Sequence, residues 1–139
     1  MLFKVLTGTE IGHLQTGLIL SQIGGLLLVF TGFFLLLPSS SVTVNGGAPI
    51  VILMAVGLIR ILAPILVGRG SKIAFWVVIF LSVLKLLECF IATIGNNPAF
   101  IWYIPVTGLI EVGVLIHLLS PRGRAELHAL GDKSIYIAQ

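Results

Sequence analysis

Four long apolar segments, separated by short polar breaks, make up most of the chain. They cover residues 14–37, 48–67, 73–94 and 101–119. Each is close to the roughly 20 apolar residues that a helix needs to cross a hydrocarbon core of about 30 Å. A residue that commonly ends helices follows each segment: Pro38, Gly68, Gly95 and Pro121. The pattern predicts an all-α protein with four transmembrane helices.

The connections between these segments are short, so neighbouring helices are expected to run antiparallel in an up-down four-helix bundle. Residues 1–119 then form a single transmembrane domain, and residues 120–139 form a tail. Within that tail, a short interfacial helix is expected around residues 124–130.

The composition supports a membrane location. The 139 residues are 58% hydrophobic and 9% charged, whereas a soluble domain is about 45–50% apolar and about 25% charged. This excludes a soluble globular enzyme, and the high hydrophobicity excludes a disordered chain. The net charge of +3 comes from scattered basic residues, so no nucleic-acid partner is expected. The lipid bilayer is the expected surrounding.

The basic residues predict the orientation. They lie before the first segment, between the second and third, and after the fourth: Lys4, Arg69, Lys72, Arg122, Arg124 and Lys133. The other two connections contain neither Lys nor Arg. The positive-inside rule therefore places both termini in the cytoplasm. The membrane would be the inner membrane in a bacterium and an endomembrane in a eukaryote.

Four charged residues fall inside the segments: Arg60, Lys85, Glu88 and Glu111. A charge at the bilayer centre costs about 2.5–3.5 kcal/mol on insertion scales, so each of them needs a partner. Arg60 and Glu111 lie at similar depth and are expected to form the main ion pair. Lys85 and Glu88 are three residues apart, a spacing that allows a pair on one helix face.

Six polar residues are the candidate ligand-binding site: Gln22, Arg60, Lys85, Glu88, Thr107 and Glu111. They either line a pocket or pathway, or neutralise one another and fix helix register. In the first case the protein binds or passes a small amphipathic or ionisable ligand, or acts as an accessory subunit. The alternative is an intramembrane isomerase or cyclase acting on a lipophilic substrate, with Glu88 and Glu111 as candidate catalytic acid and base. A third hypothesis is a purely structural role.

No cofactor and no metal are expected. The sequence contains no HExxH, no Gly-x-Ser-x-Gly, no P-loop and no Gly-x-Gly-x-x-Gly motif. Its acidic residues are too scattered for a calcium or magnesium site. His13 and His117 lie near the same end of their segments and are interpreted as interfacial residues.

The first segment carries small residues at four-residue spacing: Gly17, Ser21 and Gly25. Such a face lets another helix approach closely. Two interpretations remain open. The face packs against a helix of the same chain, or it forms a homo-oligomer with a second copy.

Overall fold

The computed structural model describes residues 12–37, 47–94 and 103–137, without the side chains of 47–49 and 131–137. These ranges form five helices and no strand: α1 (His13–Leu36), α2 (Gly47–Gly68), α3 (Lys72–Ile94), α4 (Tyr103–Leu119) and α5 (Pro121–Ile137). The predicted all-α class is confirmed. Lys4 and most of the two uncharged connections lie outside the described residues.

Three helices, α1, α2 and α3, are long and apolar enough to cross a membrane. They coincide with the first three predicted segments to within one residue at each end. The fourth predicted segment, residues 101–119, is not a candidate span by itself, because α4 has only 17 residues and meets α5 at an angle of 64°. The two helices qualify as a span only when residues 103–119 and 121–130 are taken together. The described residues thus contain three candidate spans, or four if the bent pair is one.

Glycines allow α1 to lie directly against α2. A Cβ atom at Gly25 would lie 2.7 Å from the carbonyl oxygen of Gly57, and a Cβ atom at Gly57 would lie 2.8 Å from that of Gly25. Further along α1, Gly32 lies against Met54. Higher numbers on α1 thus meet lower numbers on α2, so the two helices run antiparallel. Without side chains at the crossing, the backbones come into contact.

The stripe of small residues faces the interior of the same chain. A Cβ atom at Gly17 would lie 2.7 Å from Leu118 of α4, and Gly25 contacts α2. Ser21, between them, has no exposed surface. Of the two interpretations of this stripe, packing within one chain is the arrangement present in the structure. Association with a second copy of the chain through this stripe stays a prediction.

The tail helix is longer than the expected segment at 124–130, because α5 extends from Pro121 to Ile137. Its start has a clear local cause. The hydroxyl oxygen of Ser120 accepts a hydrogen bond from the Gly123 N–H at 3.0 Å, and Pro121 occupies the first helical position, where proline is favoured. Ser-Pro therefore ends α4 and also begins α5. From there α5 leaves α4 at an angle of 64°, and Leu127 of α5 is buried in the apolar core.

Apolar side chains lie both in the core and on the outer faces of the helices, unlike the usual distribution in a soluble protein. Large apolar residues are exposed on the helices, among them Phe30, Phe80 and Ile94. Polar and charged residues are buried between the helices: Ser21, Arg60, Ser82, Lys85, Thr107 and Glu111. This pattern is consistent with a multi-pass membrane protein, in which ionisable groups face the protein interior.

Candidate functional site

The centre of the helix assembly holds an ion pair between α2 and α4. The Arg60 guanidinium donates from Nη1 to Glu111 Oε1, and from Nη2 to Glu111 Oε2 at 2.5 Å. This is the two-pronged geometry in which arginine binds carboxylates most strongly. Both side chains are 1% exposed. The contact expected from the matching depths of the two residues is present.

The Arg60–Glu111 pair is closed on the sides contributed by α1 and α3. A Cβ atom at Gly24 of α1 would lie 3.2 Å from Arg60 Nη2 and 3.2 Å from Glu111 Oε1. From α3, the Ser82 hydroxyl lies 3.4 Å from Arg60 Nη2. Both carboxylate oxygens are already occupied by the guanidinium. The pair thus acts as an internal brace, that is, a buried ionic link between α2 and α4.

A second ion pair, on α3, is open on one side. Lys85 Nζ donates to Glu88 Oε1 at 2.8 Å. The Lys85 side chain is 6% exposed, whereas the Glu88 side chain is 60% exposed. The ammonium group also lies 5.3 Å from the centroid of the Tyr103 ring, within the range of a cation–π interaction. The cation is held inside by a carboxylate and a ring, and the carboxylate remains accessible.

The other two predicted site residues join neither ion pair. Gln22 Nε2 donates to the Ile61 carbonyl oxygen at 3.2 Å. The Thr107 hydroxyl donates to the Tyr103 carbonyl oxygen at 2.6 Å, and it lies 3.4 Å from Cys89 Sγ. Each of these contacts stabilises a helix or a helix–helix contact.

The two ion pairs lie at different levels of the assembly. Ser82 contacts the Arg60–Glu111 pair, and Glu88 lies six residues further along α3. At 1.5 Å per residue this is about 9 Å. The six candidate residues are thus distributed over one closed pair, one open pair and two local hydrogen-bonding contacts.

A further polar cluster lies at the start of α1, and its acidic member, Glu126, is not among the residues predicted from the sequence. The Glu126 carboxylate accepts hydrogen bonds from the backbone N–H groups of His13 at 3.1 Å and of Leu14 at 2.9 Å. His13 Nδ1 lies 3.2 Å from His117 Nδ1. No pattern in the sequence indicated Glu126, because its contacts are with backbone groups more than 100 residues away. Among the described residues, no group of three or more His, Cys, Asp or Glu side chains is arranged to hold a metal ion.

Comparison with known proteins finds no matching family model, no similar curated protein and no similar solved structure.

Proposed function

We propose that this chain is a four-helix, up-down membrane protein with both termini in the cytoplasm, and that it binds or passes a small amphipathic ligand with an ionisable group. The site is the open pair formed by Lys85 and Glu88. One observation carries the proposal. A buried lysine is paired with a carboxylate that is 60% exposed on an otherwise apolar helix face.

The surroundings of Glu88 explain why a ligand would bind there. Its neighbours on the exposed face of α3 are apolar: Leu84, Leu87 and Ile91, all at least 46% exposed. Hydrocarbon offers no hydrogen-bond donor to a carboxylate, so Glu88 facing lipid would be costly. A ligand with a cationic or hydrogen-bonding head and an apolar body would satisfy both parts of this surface. An accessory subunit would present the same residue to a partner chain.

The Arg60–Glu111 pair takes the structural role in this proposal. Both of its members are buried, both carboxylate oxygens are occupied, and Gly24 covers the pair. The enzyme alternative receives no comparable support. It needs two carboxylates around one substrate, but Glu111 is bound by Arg60, and Glu88 lies about two helical turns away along α3.

Chemical labelling tests whether Glu88 is the accessible acid. Dicyclohexylcarbodiimide, an apolar reagent, reacts with protonated carboxyl groups, and mass spectrometry of peptides identifies the modified residue. In proteoliposomes we expect modification at Glu88 and none at Glu111. Glu88→Gln should abolish the modification, whereas Glu126→Gln should leave it unchanged. Modification at Glu111 in preference to Glu88 would contradict the assignment of open and closed pairs.

Ligand binding is tested with two probes of matched shape and opposite charge. Tetraphenylphosphonium, a lipophilic cation, should bind the wild-type protein and slow the modification of Glu88. Tetraphenylborate, the matched anion, should do so less. Glu88→Gln should reduce the binding of radiolabelled tetraphenylphosphonium severalfold, with Glu126→Gln as the control. If neither ion protects Glu88 and Glu88→Gln changes no binding, the proposed ligand site is wrong.

A further inference from the structure

Three helices meet in a titratable cluster that the proposed function does not use. His13 is the first residue of α1, His117 lies in the last turn of α4, and Glu126 lies on α5. The two imidazole Nδ1 atoms are 3.2 Å apart, and the ring centroids are 5.2 Å apart. Glu126 binds the first N–H groups of α1. We call these three residues the α1 clasp.

We propose that the α1 clasp is a proton-sensitive junction, which is closed while the two rings share a single Nδ1 proton and opens when each ring carries its own. A nitrogen–nitrogen contact of 3.2 Å is a hydrogen bond only if one Nδ1 donates and the other accepts. One added proton is tolerated, because an imidazolium Nδ1–H still donates to a neutral Nδ1. A second added proton leaves two donors and two positive charges facing each other.

The ends of the two helices indicate which Nδ1 donates in the shared hydrogen bond. His117 lies in the last turn of α4, where the helix end carries a partial negative charge. His13 begins α1, where the helix end carries a partial positive charge. His117 is therefore the expected donor and His13 the expected acceptor. When both Nδ1 atoms carry a proton, two like charges face each other, and their repulsion forces the start of α1 away from the end of α4.

The charged groups around the α1 clasp do not cancel the repulsion between the two protonated rings. Among the described residues, Glu126 is the acidic group that contacts the start of α1, and its oxygens already accept two backbone N–H groups. The other described ionisable side chains of α5, of the turn before α3 and of the first residue of α3 are exposed and basic: Arg69, Lys72, Arg122, Arg124 and His128. The described contacts of Glu126 are thus with the backbone at the start of α1, and the repulsion between two imidazolium rings remains when the pair is doubly protonated.

The test is amide hydrogen exchange at the first turn of α1 in reconstituted protein, measured between about pH 8 and about pH 5, where histidine side chains titrate. After correction for the intrinsic effect of pH, exchange should accelerate about tenfold as the pH falls, which corresponds to about 1.4 kcal/mol. His117→Phe cannot be protonated and should abolish this acceleration. His128→Phe, an exposed histidine on α5, is the matched control and should retain it.

An unchanged pH response in folded His117→Phe, or no response in the wild-type protein, would overturn the proposal. If His117→Phe fails to fold, ¹⁵N NMR of histidine-labelled wild-type protein provides the second measurement. It should show one protonated Nδ1 shared by the pair at the upper pH, and a second protonation that coincides with faster exchange. Exchange that accelerates before the second protonation would equally contradict the clasp.

Discussion

Removing one member of the Arg60–Glu111 pair should destabilise the protein at least as much as removing both. Each side chain is 1% exposed, and the two are joined by a pair of charge-assisted hydrogen bonds. Removing one partner of such a pair leaves the other charge buried and uncompensated, which typically costs about 3–5 kcal/mol. Arg60→Leu and Glu111→Leu should each lower the free energy of unfolding by that amount.

The double variant separates this mechanism from simple loss of contacts. Replacing a whole buried pair with apolar residues of similar size is often neutral or stabilising. Additive effects would give a loss of about 6–10 kcal/mol in the double Leu variant. We expect instead a loss no greater than that of either single variant, and hence a coupling energy of at least about 3 kcal/mol.

The measurement is a double-mutant cycle by denaturant unfolding in mixed micelles, monitored by far-ultraviolet circular dichroism. Lys85 and Glu88 provide the comparison pair, because Glu88 is 60% exposed and Lys85→Leu therefore leaves no fully buried charge behind. Additive losses at Arg60 and Glu111, or equal coupling energies in the two pairs, would refute the distinction between a closed brace and an open site.

Two further predictions address packing and orientation. Gly25→Ala should destabilise the protein, because its Cβ atom would lie 2.7 Å from a backbone carbonyl oxygen of α2, whereas Gly108→Ala should not, because no atom lies within 4 Å of its Cβ position; equal melting temperatures for the two variants would contradict the close helix crossing. On a cysteine-free background, Thr43→Cys should react with a membrane-impermeant thiol reagent from outside and Ala129→Cys only from inside. The reverse pattern would refute cytoplasmic termini.

The helical pattern could be predicted from the sequence because it depends on local signals. Apolar runs of span length and the Pro and Gly residues after them predicted α1, α2 and α3 to within one residue at each end. The Lys85–Glu88 contact was predictable for the same reason, since three-residue spacing on one helix fixes which side chains meet. Predicting the Arg60–Glu111 contact required one further assumption. If neighbouring helices are antiparallel, α2 and α4 run in the same direction, and the two residues lie at similar depth.

The contacts that the sequence did not indicate are those between distant segments and backbone groups. Glu126 binds N–H groups at the start of α1, and every helix start offers similar donors to any acidic side chain. The course of α5 is another example. By sequence, Ser120 and Pro121 predict the end of a span. The same two residues also satisfy the requirements for starting a helix. One motif can serve both purposes, and tertiary packing decides between them.

The four charges within the apolar helices differ from pair to pair. By sequence, all four belong to one candidate site, because each would need a partner in hydrocarbon. The structure separates them by exposure: Glu111 is buried with both oxygens occupied, whereas Glu88 is exposed with Lys85 behind it. A pair with no accessible atom cannot recognise a ligand without opening, and opening Arg60–Glu111 would strand two buried charges. The ligand binding that we propose would therefore have its lowest energetic cost at Glu88, where the carboxylate is already exposed.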